Sequence, residues 1–327
     1  MPVSVKSGEV LRGRYKIRKV IGQGGMGCIY LADDLRLEGR QCALKEVEND
    51  RTLPQELIRE ARDQFFREAT VLARLDHPNL PKVSDYFSIA ARDYLVMDFV
   101  PGKDLRTLIT ESKQAGEFLP ENDVLSWANQ LADALQYLHD QDPPILHRDI
   151  KPGNLKLTPT GLLKLVDFGL VKLLAPGEVT ITVLQGQGTA LYTPIEQYGG
   201  DSGHTSVQSD IYAFGATLYH LLTNRPPVNA RERFLEPEGF LPPRQINPGI
   251  SARTERAILW AMSLHPDERP QTVEIFRQAL LGERNPPTRP LPHAPGPRDY
   301  LARNPERWMV YISAGMIVLS LIASLLH

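Results

Sequence analysis

Cysteine is scarce in this chain. Two thiols, Cys28 and Cys42, among 327 residues are too few for a disulfide framework and fit a reducing compartment. An excess of one charge sign is also missing. With 37 basic and 39 acidic side chains the net charge is -2, which gives no reason to expect nucleic acid as a partner. The amino terminus, Met1 to Leu11, lacks the apolar core of a signal peptide, and no internal repeat is visible. What remains is ordinary globular composition and enough length to bury a substantial core in one large domain or two lobes.

One long apolar run stands out. From Trp308 to Leu326 the chain reads WMVYISAGMIVLSLIASLL without a charge. At helical rise that is just enough to cross the hydrocarbon layer, which needs roughly 20 residues. Arg298, Arg303 and Arg307 precede it and only His327 follows, so the positive-inside rule places the amino-terminal part in the cytoplasm. The expectation is a single transmembrane helix over 308–326; a buried carboxy-terminal helix is the alternative. Residues 282–307 are proline-rich without apolar periodicity and read as a semi-extended juxtamembrane tether.

The folded part divides by pattern. Tyr15 to Val47 contains short β-like runs, RYKIRKVIG, CIYLADD and QCALKEV, separated by turn signals. A helix is expected from about Pro54 to Leu75, then strands near Val83–Phe87 and Tyr94–Phe99. Beyond Gly102 helical spacing dominates: Val124, Trp127, Leu131, Leu135 and Leu138 mark one amphipathic helix, and Ile211, Phe214, Leu218 and Leu221 another. The fold class is therefore α+β, with a small strand-rich lobe at about 11–100 and a larger helical lobe at about 101–281.

Gly22, Gln23, Gly24, Gly25, Met26 and Gly27 form a glycine-rich turn between two strand-like runs. A hairpin, rather than the strand-to-helix turn of a Rossmann fingerprint, is implied. Glycines let backbone N–H groups approach phosphates closely, although a plain tight hairpin would read the same. Alternation along Ala43-Leu44-Lys45-Glu46-Val47 puts Lys45 on one face with Ala43 and Val47. The alternative for a lysine so placed is snorkelling at an edge. On the long helix Glu68 shares a face with Phe65 and Leu72, and a carboxylate on an apolar face needs a partner; Lys45 is the natural one. Downstream, His147-Arg148-Asp149-Ile150-Lys151-Pro152-Gly153-Asn154 is followed by Asp167-Phe168-Gly169. That spacing suits one carboxylate near an acceptor hydroxyl, with Asn154 and Asp167 supplying the hard oxygens that Mg²⁺ prefers.

In order and spacing these segments resemble the eukaryotic-type serine/threonine protein kinases, with GQGGMG similar to the bacterial branch, over about Leu11 to Leu281. The resemblance implies a bilobal kinase fold, ATP and Mg²⁺ as cofactors, and protein Ser/Thr hydroxyls as acceptors. It implies that Asp149 orients the hydroxyl and accepts its proton, that Lys151 contacts the γ-phosphate, and that Asn154 and Asp167 hold Mg²⁺. Lys45 would clamp the α/β-phosphates with Glu68 bracing it. Met97, Asp98, Phe99 and Val100 resemble the adenine-binding hinge; Ile21, Ile29 and Ala43 would cover the ring, with Cys28 on the strand returning from the glycine turn. Arg148 resembles the arginine of kinases switched on by activation-loop phosphorylation, with Thr180 and Thr182 as candidate phosphosites; solvated loop threonines are the equal alternative. Thr189 resembles the substrate-positioning threonine, Glu196 and Arg269 a buried ion pair, and Asp210 the aspartate that steadies the catalytic loop.

Two positions depart from the family pattern. Pro194-Ile195-Glu196 stands where Ala-Pro-Glu is usual, and Lys156 falls where an apolar residue underlies adenine. For Cys28 and Cys42 a redox switch competes with the commoner buried free thiol. The expectation is thus a single-pass membrane-tethered serine/threonine kinase with a cytoplasmic catalytic domain that autophosphorylates its activation loop; self-association stays open. Its rivals are a pseudokinase scaffold and a small-molecule kinase of related fold.

Overall fold

The computed structural model describes residues 5–24, 27–48, 55–90, 92–167, 190–198 and 205–286. The small lobe is a six-stranded antiparallel sheet in the order β1-β2-β3-β4-β6-β5. Its strands are β1 (Val10–Leu11), β2 (Tyr15–Gly24), β3 (Gly27–Asp34), β4 (Gln41–Glu48), β5 (Val83–Ile89) and β6 (Arg92–Asp98), with α1 (Gln55–Arg74) inserted before β5.

Two-residue alternation gives the sheet two distinct faces. Tyr15, Ile17, Cys28, Tyr30, Cys42, Leu44, Phe87, Tyr94 and Val96 pack together on one. There Tyr15 stacks on Phe87 at 5.6 Å and Phe87 on Tyr94 at 5.1 Å, offset contacts worth about 0.5–1.5 kcal/mol each beyond their burial. The other face carries Ala43, Val83, Leu95 and Met97, which join Phe65, Ala69 and Leu72 of α1 and the core of the large lobe. Register therefore decides which side chains look toward the other lobe.

The large lobe begins with β7 (Lys103–Asp104) and α2 (Leu105–Ala115), whose first turn is capped by Asp104 accepting from the Thr107 N–H at 2.8 Å. Then come α3 (Glu121–His139), β8 (Leu155–Leu157), β9 (Leu163–Leu165), α4 (Val207–Thr223), α5 (Ala230–Leu235), α6 (Pro243–Ile246), α7 (Ala252–Ala261) and α8 (Val273–Leu281). Strands β7, β8 and β9 form a small antiparallel sheet beneath the inter-lobe cleft. Helix α4 is apolar nearly all round and almost wholly buried, as expected for the central strut of a bundle. Ser206 and Ser209 form a reciprocal cap at its start. At Gly215 a Cβ would come within 2.8 Å of the Ala261 Cβ, so the α4–α7 crossing requires glycine.

Among the described residues no helix is long and apolar enough to cross a membrane. The expected span 308–326 and most of the tether lie outside the described residues.

Candidate active site

The cleft face of the small lobe presents Lys45. Cross-strand register sets Ile29 and Leu95 on either side of it, and Met97 beside Ala43. Cys28, one residue out of phase, instead turns its thiol into the packed opposite face. Its backbone pairs with Gln23 of the glycine turn, so main chain rather than thiol is what Cys28 offers a nucleotide there. Cys42 is buried on that same face, where desolvation pushes its thiol up to about 11. This suppresses the thiolate that redox chemistry requires.

The glycine turn has one position that admits no substitute. Gly27 has φ 147°, and a Cβ there would lie 2.0 Å from the Glu46 carbonyl oxygen. Ile21, at the cleft edge, is 40 % exposed. Gly25 and Met26 lie outside the described residues.

The catalytic loop, residues 147–154, is held from below. Asp210, 0 % exposed at the start of α4, accepts the His147 N–H at 2.9 Å on Oδ2 and the Arg148 N–H at 2.8 Å on Oδ1. Its Oδ2 also accepts from His139 Nε2 at 2.9 Å. Burial would raise this carboxyl, but the His139 hydrogen bond, the His139 and His147 charges and the Arg148 N–H outweigh it and hold it below its ordinary range. Leu146 and Ile150 are fully buried anchors, so Asp149 and Lys151 turn toward the cleft. Arg148 adopts φ 64° and Asp167 φ 58°. Left-handed backbone at non-glycine residues costs about 1–2 kcal/mol each and persists only where surroundings enforce it.

At the centre, Lys151 Nζ lies 2.8 and 2.7 Å from the two Asp149 carboxylate oxygens. Asn154 Nδ2 donates to both the Asp149 carbonyl and its Oδ2 at 2.8 Å. With its amide nitrogen so committed, the Asn154 side-chain oxygen has no hydrogen bond shown among the described residues. The Val166 N–H donates to the Asn154 carbonyl at 2.8 Å, which fixes Asn154 against the residue preceding Asp167. The Asp167 carboxylate and the Asn154 amide oxygen are the hard donor types that Mg²⁺ prefers.

Asp167 Oδ1 receives the Lys45 ammonium at 2.5 Å, a contact that spans the two lobes. Burial would raise the Asp167 carboxyl, yet Lys45, and after it Lys151, hold it below its ordinary value and hence ionised. Glu68 is 5 % exposed, and its charge acts on Arg148 together with that of Asp210. Burial lowers the Arg148 guanidinium below its ordinary value.

The hinge follows β6. Met97 and Val100 are buried, and Asp98 is anchored by the Lys82 N–H and by Arg40 Nη2, both at 3.3 Å. Lys156, on β8 opposite Asp104, carries its ammonium 5.5 Å from the centre of the Phe99 ring, and burial lowers its pKa. Its stem is left facing the cleft in place of an apolar residue.

Glu196 and Arg269 meet as a bidentate pair at 2.7 and 2.9 Å. Arg269 also donates to the carbonyls of Ser263, Gln208 and Leu264 and lies over Tyr212 at 4.9 Å. Ile195 does not disturb this pair. Phe168, Thr180, Thr182 and Thr189 lie outside the described residues.

Two positioning residues were not singled out from sequence. His139 ends α3 on the stripe of Leu135 and Leu138, and a polar group on that stripe signals a buried partner. Asn79 follows a His-Pro pair; its Nδ2 donates to the Leu163 carbonyl at 2.7 Å and its carbonyl accepts the Leu165 N–H at 2.8 Å. It thereby ties the segment after α1 to the strand leading to Asp167.

A strand-rich lobe and a helical lobe, meeting where Lys45 touches Asp167, define the bilobal protein kinase architecture. The family model of the protein kinase domain matches residues 15–278. The chain is 35 % identical over 275 residues to the serine/threonine-protein kinase PrkC of Bacillus subtilis, covering 82 % of this chain and 40 % of PrkC. It is 32 % identical over 299 residues to the serine/threonine-protein kinase PknB of Mycobacterium tuberculosis, covering 86 % and 45 %. The crystal structure of the Mycobacterium tuberculosis PknI kinase domain superimposes with TM-score 0.64 at 26 % identity, over 86 % of this chain and all of that one. The chain spans about two fifths of the length of the curated relatives it matches. It belongs to the protein kinase family, in the bacterial serine/threonine branch.

Proposed function

We propose that this chain transfers the γ-phosphoryl group of ATP to serine or threonine hydroxyls of proteins. The observation that carries the reading is the placement of Asp149. Its carboxylate is gripped by Lys151 and Asn154 within 2.8 Å, on a loop locked by Asp210, opposite a lysine from the other lobe. The acceptor oxygen forms a bond to the γ-phosphorus as the bond to the β-bridging oxygen breaks, ADP leaves, and the hydroxyl proton passes to Asp149. Lys151 neutralises the oxygens of the transferred group, and Lys45 releases Asp167 to contact the α/β-phosphates, braced by Glu68. Asn154 and Asp167 would hold Mg²⁺, which would neutralise charge on the phosphate oxygens. Met97, Asp98 and Val100 receive adenine between Ile21, Ile29 and Ala43 above and the Lys156 stem below.

Arg148 suits a phosphate supplied by Thr180 or Thr182 in cis, because it presents a half-buried guanidinium between two carboxylates and its Nε has no hydrogen-bond partner among the described residues. Charge-assisted pairing of this kind orders loops. The uncharged run 308–326 supports single-pass tethering with the kinase domain in the cytoplasm.

The test is γ-phosphoryl transfer to a generic protein acceptor by the wild type and Asp149→Asn. A general base contributes about 10²–10⁴-fold, so the variant should lose at least a hundredfold in kcat with ATP binding retained. Equal rates would refute the assignment. Phosphosite mapping after incubation with ATP and Mg²⁺ should find Thr180 or Thr182 modified in the wild type and neither in the variant.

A further inference from the structure

A second cluster of polar side chains lies beside the catalytic loop and takes no part in the phosphoryl chemistry above. Arg106, exposed in the first turn of α2, brings its Nε within 3.8 Å of where a Cβ on Gly153 would stand. Gly153 is two residues beyond Lys151 and one before Asn154, so Arg106 borders the same loop as the catalytic carboxylate. On the neighbouring wall Tyr192 Oη lies 2.6 Å from His220 Nδ1, and the two rings stack at 6.1 Å and 27°. Tyr192 is buried and His220, in the last turn of α4, is half-buried.

The charges that face this pair are positive. Burial brings the His220 imidazole down to about 4, and Arg106 and then Lys113 add to that depression. Burial raises the Tyr192 phenol to about 12 against an opposing pull from Arg106. Both rings are therefore neutral at pH 7, and with Tyr192 donating to Nδ1 the imidazole keeps its proton on Nε2, as a donor. Among the described residues no carboxylate contributes to either shift. Among the described residues neither Arg106 nor Lys113 is in an ion pair, whereas Lys103, on β7 just before the helix, is taken by Glu111 of α2 at 2.6 Å. Residue 153 has no side chain to lie against the guanidinium, and Arg106 is exposed.

We propose that Arg106, with Gly153 as its floor and the Tyr192–His220 pair as its wall, receives an acidic side chain of the protein substrate close to the acceptor hydroxyl. A guanidinium fork matches a carboxylate in two hydrogen bonds, and the neutral pair adds a donor without a competing charge. The chain from Asp149 to Gly153 spans at most about 14 Å at roughly 3.3–3.6 Å per residue. The acidic residue therefore falls within about five positions of the phosphorylated serine or threonine. This rests on the protein-kinase reading and makes Arg106 a specificity-determining residue within it.

The test is a positional peptide library in which each position flanking a fixed threonine carries Asp, Glu, Ala or Lys in turn. It is phosphorylated with ATP and Mg²⁺ by the wild type, Arg106→Glu and Arg106→Lys. An acidic residue suits the first turn of a helix, so Arg106→Glu is expected to fold, and its melting temperature is checked. The wild type should prefer Asp or Glu over Lys at one position by about tenfold in kcat/KM, carried mainly by KM. Arg106→Glu should invert that preference at the same position, and Arg106→Lys should keep part of it. A wild-type profile flat or basic at every position, or one unchanged in Arg106→Glu, would overturn the proposal while leaving the kinase reading intact. Failure to phosphorylate any peptide or protein would take down the kinase reading, and this proposal with it.

Discussion

Asp210→Asn is the perturbation that most sharply separates local architecture from chemistry, because Asp210 touches no reacting atom yet holds the loop that does. Its Oδ1 accepts one N–H and its Oδ2 two. An amide in either orientation must aim an NH₂ at a donor. The less costly choice keeps the oxygen toward His147 and His139 and turns the NH₂ on the Arg148 N–H. One charge-assisted bond is then lost, at about 1.5–3 kcal/mol, and the two that remain become neutral, roughly halving their strength. The sum is on the order of 3 kcal/mol of stability. Arg148 at φ 64° is no longer held in its left-handed conformation, so the loop relaxes and Asp149 moves. Misplacement by about 1 Å can cost 10²-fold in rate. Urea denaturation should show the stability loss, and steady-state kinetics a fall in kcat of about a hundredfold with KM for ATP nearly unchanged, since Lys45 and the hinge are untouched. A variant within 0.5 kcal/mol and about threefold of wild type would refute the clamp.

Arg269→Met leaves Glu196 and three carbonyls without their buried donor and should cost about 3–5 kcal/mol in urea unfolding; adding Glu196→Met should recover part of that loss. Gly27→Ala forces a Cβ against the Glu46 carbonyl, so KM for ATP should rise about tenfold or more while substrate-peptide KM stays close to wild type in the same titrations. For pH dependence, His220 has a folded pKa of about 4, below its unfolded value of about 6.5. Its contribution to stability is complete above pH 6.5 and declines as pH falls toward 4, by at most about 3 kcal/mol. His147, also lowered by burial, acts in the same direction. Urea midpoints between pH 7.5 and 5 should therefore fall less steeply in His220→Gln than in wild type.

Much of the fold was legible because its signals are local. Period-two alternation around Lys45 and the three-and-four spacing of Phe65, Glu68 and Leu72 place residues on faces, and faces decide packing. The same reasoning puts the Cys28 side chain on the opposite face from Ile29. Less legible were the pairs joined only by tertiary structure. His139 and Asp210 stand 71 positions apart in sequence, and their meeting depends on how α3 packs against α4. Asn79 reaches Leu163 across 84 positions. The proposed Arg106 site was invisible for the same reason: its parts come from α2, the catalytic loop, Tyr192 and the end of α4. Lys156 was marked as a departure, but that its ammonium lies over Phe99 depends on the approach of the hinge to β8.

The central claim is that one triphosphate is bound between Lys45 of the small lobe and Asp149, Asn154 and Asp167 of the large one. Its most direct test is a crystal structure of the chain with Mg²⁺ and a slowly hydrolysed ATP analogue. The account predicts the α- and β-phosphates within hydrogen-bond distance of Lys45, the metal on Asn154 and Asp167, and the γ-phosphate facing Asp149. A nucleotide bound elsewhere, or phosphates in the cleft that touch neither Lys45 nor Asp167, would contradict it.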